Sequence, residues 1–257
     1  MSTNKFINSA KKTIGIQADS IASLSNQIDK SFAEIAKKVS LIKGKLIVMG
    51  VGKSGHVGQK VSATLASTGT PSFFIHPTEA AHGDLGMIAK DDAVLIFSNS
   101  GETKEVTAIL PALKRMTSDI FSITGNADSS IAKASSVHLK VQVEKEACPH
   151  DLAPTSSTTA SMVIGDALAI SLIEEKNFSS EDFAKSHPAG ELGKKLTTYV
   201  GDLAISGNKV SCVEIEASIK DTIIEITSKK LGMALAVKDE EVVGIFTDGD
   251  LRRALNQ

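Results

Sequence analysis

The run Lys45-Leu46-Ile47-Val48-Met49, followed at once by Gly50-Val51-Gly52-Lys53-Ser54-Gly55, decides the fold class. A short apolar run that turns through glycines into a segment of helical spacing is a strand feeding a helix. Such a turn surrounds an anion with bare backbone N–H groups and the positive end of the helix. Here the turn also carries a charge and a hydroxyl, Lys53 and Ser54, so the expected ligand is a small phosphorylated molecule and the lysine is a candidate for chemistry on it. A dinucleotide reading of the glycines wants an Asp or Glu at the end of the next strand, about 20 residues on. That strand, Ser72 to Ile75, ends in His76-Pro77 instead. A P-loop needs a glycine at position 47, where Ile47 stands.

The same alternation continues to residue 143. Apolar runs at Lys45–Met49, Ser72–Ile75, Ala93–Phe97 and Ile120–Ile123 are continuous rather than alternating, as in strands buried on both faces of a parallel sheet, and Val137–Val143 supplies a fifth strand. Between them Val57, Val61 and Leu65, then Val106, Leu110 and Leu113, are spaced to face the sheet, with Pro111 as a weak point. The expectation is a doubly wound α/β domain with five parallel strands over residues 44–200. Residues 156–176 predict a helix apolar on most sides, and 177–200 a polar tail packed on the surface.

Residues 4–43 predict a helix whose stripe runs through Ile14, Ile21, Ile28, Ile35 and Ile42, with Gly15 as a breaking point. The domain or another subunit must cover that stripe. Residues 201–257 predict a small α+β unit. Ser218 caps a helix that ends at Gly232, Met233–Val237 and Val242–Phe246 form a hairpin, and a last helix starts near Asp248. So small a unit buries little core by itself and calls for a partner copy.

Composition excludes several classes. Of 257 residues 42% are apolar and 23% charged, with a formal net charge of −2, no Trp and one Tyr. There is neither a basic surface nor an aromatic platform for nucleic acid. No run of about 18 apolar residues spans a membrane, and Met1-Ser2-Thr3-Asn4-Lys5 lacks the apolar core of a signal peptide. Cys148 and Cys212 have no metal-ligand spacing and read as reduced thiols of a cytoplasmic protein.

In doubly wound sheets the ligand sits outside the carboxyl ends of the strands. The residues found there are Lys53 and Ser54, then His76 and His82, Ser98, Ser100 and Thr103, Thr124, and finally Glu144, Glu146 and the hydroxyl run Thr155-Ser156-Ser157-Thr158-Thr159. The Ser98–Thr103 and Thr155–Thr159 loops can each donate to phosphate oxygens at a helix start, or merely cap their helices. Glu105 is a candidate base, and His187, before Pro188, has no packing reason to stand where it does. His56 and His138 read as structural.

These motifs together resemble one family. Val51-Gly52-Lys53-Ser54-Gly55-His56, Gly69-Thr70-Pro71-Ser72-Phe73-Phe74, Glu79-Ala80-Ala81-His82-Gly83-Asp84-Leu85-Gly86, Ser98-Asn99-Ser100-Gly101-Glu102, Glu146-Ala147-Cys148-Pro149 and Ala153-Pro154-Thr155-Ser156-Ser157-Thr158-Thr159-Ala160 are similar to D-arabinose 5-phosphate isomerases, which join a sugar isomerase (SIS) domain to a pair of CBS repeats. The resemblance implies interconversion of D-ribulose 5-phosphate and D-arabinose 5-phosphate through a cis-enediol, supplying Kdo for lipopolysaccharide. It implies catalytic roles for Lys53, Glu105, Glu146 and His187. It implies substrate contacts at Ser54, Gly69, Thr70, His76, His82, Ser98, Ser100, Thr103, Ser156 and Thr158. No cofactor or metal is required, and zinc at His76 inhibits if it binds. A homotetramer or homodimer is implied. The C-terminal unit resembles one CBS repeat, whose effector class is a nucleotide or CMP-Kdo. The second repeat is absent, so either the chain is truncated or a neighbouring subunit supplies the partner. Two rivals stay open, another SIS isomerase acting on a hexulose or heptose phosphate and a non-catalytic sugar-phosphate sensor. Either Glu105 or His187 moves the C1–C2 proton.

Overall fold

The structure, a computed structural model, describes residues 3–188 and 190–255. The chain divides into two compact units, Met1–Leu196 and Thr197–Gln257. In the first the chain runs α1 (Thr3–Leu24), α2 (Lys30–Leu41), β1 (Leu46–Met49), α3 (Lys53–Ser67), β2 (Ser72–Ile75), α4 (Pro77–Ala81) and β3 (Ala93–Phe97). It continues with α5 (Lys104–Met116), β4 (Ile120–Thr124), α6 (Ser130–Ala134), β5 (Val137–Lys140), α7 (Ser156–Lys176), α8 (Ser180–Ser186) and α9 (Glu191–Thr197). The sheet is five-stranded and parallel, in the order β2-β1-β3-β4-β5.

Alternate residues of each strand enter opposite cores. Leu46, Val48, Leu95, Phe97 and Phe121 pack with α2, α3 and α7, while Ile47, Met49, Val94, Ile96 and Ile120 pack with α4, α5 and α6. The inner strands β1, β3 and β4 are buried throughout, whereas β2 and β5 are the edges and are only partly covered. Because α3 and α5 lie on opposite faces, the chain reverses its winding between β1 and β3. The carboxyl ends of those two strands therefore open a crevice.

The helix-facing residues predicted for α3 and α5 are all buried, and α5 runs through Pro111. By length and composition α7 could cross a bilayer, yet Ile164, Leu168, Ala169 and Leu172 are buried against α1, α2 and α3. Its approach to α3 depends on Gly165, where a Cβ would lie 2.3 Å from a Val61 methyl, and the Lys60–Asp166 ion pair spans the same contact. Gly165→Ala should lower stability by about 1–3 kcal/mol through overpacking. This is readable as a lower urea midpoint; an unchanged midpoint contradicts the tight contact.

Three local expectations are corrected. The N-terminal helix is two helices. Gly15 does not break it, but Ser25–Gln27 tightens into a 3-10 turn, Ile28 is extended, and the Asp29 carboxylate accepts from Ser31 N at 2.8 Å to start α2. The stripe divides accordingly: Ile35 and Val39 are buried, whereas Ile7, Ile14 and Ile21 of α1 are exposed. Strand β5 stops at Lys140, because Gln142 N and O turn to the Gln27 side chain at 2.8 and 2.9 Å. The supposed tail after residue 177 contains α8, whose Ser179 and Asp182 form a reciprocal cap, and α9.

The second unit holds α10 (Val200–Leu203), β6 (Cys212–Glu214), α11 (Ile219–Lys229), β7 (Met233–Lys238), β8 (Glu241–Thr247) and α12 (Asp248–Leu255). Ser218 caps α11 through Asp221 N at 3.1 Å, and Asp239-Glu240 turn the hairpin with both φ positive, at 51° and 65°. The helix stops before Gly232, with Lys230 left-handed. Strand β6, parallel to β7, lies outside the predicted hairpin and makes the sheet three-stranded. The buried apolar core of this unit is small, including Ile226 and Ala234, and Ile219, Ile224, Val242 and Ile245 stay exposed.

Candidate active site

The β1–α3 turn is built by close approach. A Cβ at Gly50 would stand 2.8 Å from the Ser54 carbonyl oxygen, and Gly52 has φ 57° and ψ −127°, a conformation open to glycine. No side chain caps α3. Lys53 is its first residue and is exposed, with Ser54 next to it and half-buried. Both line a cavity of about 130 Å³. Asn99 of the β3–α5 loop and Ser157, Thr158 and Ser161 of α7 complete the polar part of its wall. Pockets for drug-sized ligands run to roughly 300–1,000 Å³, so this one suits a small metabolite rather than a dinucleotide.

The β3–α5 loop is held in shape by its own hydroxyls. Ser98 Oγ and Thr103 Oγ1 are 2.8 Å apart, and Gly101 N donates to Ser98 Oγ at 3.1 Å. Ser98 is buried, so it braces the loop, while Asn99 and Ser100 face outward. Thr103 precedes α5 without capping it through its side chain, which leaves that helix end for an anion. Glu105 is exposed in the first turn. Lys53 and Glu105 thus begin the helices that follow two neighbouring strands, on the same edge of the sheet.

The start of α7 has a different occupant from the one its hydroxyls suggest. Glu146 Oε2 accepts from Thr155 N at 2.7 Å, Thr155 Oγ1 at 3.0 Å and Ser157 N at 3.3 Å. The protein's own carboxylate occupies the place expected for a phosphate. Burial pushes the Glu146 carboxyl up, but the hydrogen bonds donated by Ser157 and Thr155 outweigh it, so its pKa lies below the ordinary 4.5. A depressed folded-state pKa contributes stability in full above the unfolded value and loses it as the pH falls through the folded one. Glu146→Gln should therefore lose less stability than the parent between pH 7 and pH ~3, compared by urea midpoints; equal losses contradict the capping role. Ser156 lies off the cavity face, its hydroxyl buried without a hydrogen-bond partner.

His76 precedes α4 and caps it, its Nδ1 accepting from Thr78 N at 3.3 Å, so the neutral ring carries its proton on Nε2. His82 is exposed at the other end of the same helix. Among the described residues no three His, Cys, Asp or Glu side chains cluster to hold a metal. His138 is structural: its Nε2 bonds Thr124 Oγ1 at 2.9 Å, and burial lowers its pKa.

Two residues, Gly69 and Thr70, lie elsewhere in a single chain, and the expectation is corrected for them. Gly69 and Thr70 follow α3 and precede β2, at the amino edge of the sheet. There Lys176 Nζ donates to Thr70 Oγ1 at 3.0 Å, and Phe178 lies against Gly69. The 15 residues of α3 put about 22 Å between them and Lys53. His187 follows α8, stacked on Phe183 with ring centroids 4.0 Å apart. Its Nδ1 donates to the Phe183 carbonyl at 3.0 Å. His187 is not among the residues that line the cavity beside Lys53. Conversely, the cavity wall includes Asn99 and Ser157, which stand in the quoted motifs but were not among the expected substrate contacts, and Ser161, which lies outside them; Pro154, Ser157, Thr158 and Ser161 follow the helical spacing that marks one face.

Residues 42–171 match the SIS domain family. The chain is 50% identical over 252 residues to the arabinose 5-phosphate isomerase KdsD of Escherichia coli K12, covering 98% of this chain and 77% of that one. It belongs to the arabinose 5-phosphate isomerase family. The corresponding enzyme of Pseudomonas aeruginosa is 51% identical over 253 residues, covering 98% of this chain and 78% of its own length. Among solved structures, an Escherichia coli CFT073 protein in complex with arabinose 5-phosphate superposes with a TM-score of 0.71 at 42% identity, over 73% of this chain and all of the other. A chain of this fold thus exists with the sugar phosphate bound.

Proposed function

We infer that this chain is an arabinose 5-phosphate isomerase, interconverting D-ribulose 5-phosphate and D-arabinose 5-phosphate. The observation that carries this is half-identity with curated arabinose 5-phosphate isomerases along 98% of the chain. The product feeds Kdo synthesis.

The residues at the crevice suit an enediol mechanism. The ketose loses a proton from C1 to a base, giving a cis-enediolate that is protonated at C2; the aldose reacts in reverse. Glu105 is our assignment for the base. Lys53 sits where its ammonium can hold the negative charge that develops on oxygen. The phosphate goes to the β3–α5 loop and the open end of α5, since Glu146 already fills the start of α7. Ribulose 5-phosphate has no free 5-hydroxyl and cannot form a furanose ring, so only the aldose direction needs a ring-opening group. His187 is our assignment for that step, since an imidazole can both give and take a proton. No step calls on a cofactor.

A single chain leaves this site incomplete. Gly69 and Thr70 belong to the end of the unit remote from Lys53, His187 does not line the cavity, and the isoleucine face of α1 is uncovered. We propose a homo-oligomer in which a second copy brings its His187 to this crevice. The exposed apolar residues of the second unit suit a CBS repeat awaiting a partner, with a nucleotide or CMP-Kdo as effector. The free thiols Cys148 and Cys212 suit a cytoplasmic enzyme. Mixing Lys53→Ala chains with His187→Ala chains tests the shared site: activity should return in part, whereas two dead variants that stay dead together contradict it.

A further inference from the structure

An acidic residue stands inside the loop that receives the phosphate, and its charge alone would repel a dianion. The structure shows where that carboxylate goes. Glu102 Oε1 accepts from Ser130 N at 2.7 Å, on the first residue of α6. The neighbouring contacts run the same way. Ile131 N donates to Gly101 O at 3.1 Å and Gly125 N to Asn99 O at 2.9 Å. Gly101 (φ 69°) lies so close to Ser129 that a Cβ would stand 2.0 Å from its hydroxyl. Backbone contacts fix Asn99 and Gly101; at Glu102 the side chain does the fixing, and Glu102 N in turn donates to Ser100 Oγ at 3.2 Å.

We infer that Glu102 is a positioning residue for phosphate recognition: its carboxylate ties the β3–α5 loop to the start of α6, which sets the loop's anion-facing donors and turns its own charge aside. A hydrogen bond to a charged acceptor is strong enough to hold such a loop. The bond between Glu102 and Ser130 N also lowers the Glu102 pKa, keeping the carboxylate ionised. Glu102 touches no reacting atom in this scheme, so its loss acts on binding rather than on the chemical step. The inference rests on the placement of the phosphate on this loop under the proposed function.

Two variants attack the tie from opposite ends. Glu102→Ala removes the acceptor and Ser130→Pro removes the donor. Proline is favoured at the first position of a helix, and Ser129 before it is extended, at φ −68° and ψ 158°, as a residue preceding proline must be. Glu102→Gln keeps an oxygen that can accept the same bond. Binding of inorganic phosphate by the full chain is measured by calorimetry, and KM and kcat for arabinose 5-phosphate by steady-state kinetics. Glu102→Ala and Ser130→Pro should each weaken phosphate binding and raise KM by about tenfold, with kcat changed less than about threefold, and Glu102→Gln should recover most of the loss. Unchanged phosphate binding in Glu102→Ala, a fall confined to kcat, or Glu102→Gln no better than Glu102→Ala would overturn the inference. A parent chain that binds phosphate but converts no sugar would overturn the isomerase reading and leave this one standing.

Discussion

Glu105→Gln should lose about 10²–10⁴-fold in kcat while still binding arabinose 5-phosphate, the range that a general base contributes. The amide keeps the shape of the side chain and its exposed place in the first turn of α5, so folding is not the cause of the loss. What disappears is the group that takes a proton from C1 or C2. The same variant should also lose the exchange of substrate hydrogen with deuterated solvent. If exchange persists at the parent rate, Glu105 is not the base and His187 takes that role.

Lys53→Met should lose about 10²–10³-fold in kcat, comparable with removing one donor from an oxyanion site. Met keeps the length of the stem but not the charge. Lys53 is exposed at the start of α3, and no hydrogen-bonding cap fixes that end, so the variant should melt close to the parent. KM should rise less than kcat falls, because the enediolate carries more charge on oxygen than the ground-state carbonyl. A variant in which KM alone changes would make Lys53 a phosphate ligand instead.

Much of the first unit was legible because its first four strands are short apolar runs. Ser72–Ile75 and Ala93–Phe97 match residue for residue, and spacing alone placed Val57, Val61 and Leu65 in the core. Lys53, Ser54 and the Ser98–Thr103 loop could be located because strand ends define the ligand edge of such a sheet. The misses have physical reasons. The isoleucine repeat runs on through Ile28, which hides a break that Asp29 makes by capping. Strand β6 has three residues and no apolar run of its own, so only its pairing with β7 reveals it. The capping of α7 by Glu146 joins groups nine residues apart through a loop, and periodicity carries no trace of it. Gly69 and Thr70 lie in a motif that resembles the family's. Motif likeness says nothing of which copy of the chain a residue serves, and only the length of α3 shows that these two lie far from Lys53.

On the proposed reading, this crevice isomerises a pentose phosphate and its shape sets the configuration at C2. Incubation of the full chain with D-ribulose 5-phosphate, with the aldose products resolved from one another, tests it most directly. The expected product is D-arabinose 5-phosphate, formed reversibly. Formation of D-ribose 5-phosphate, or of no aldose at all, would contradict it.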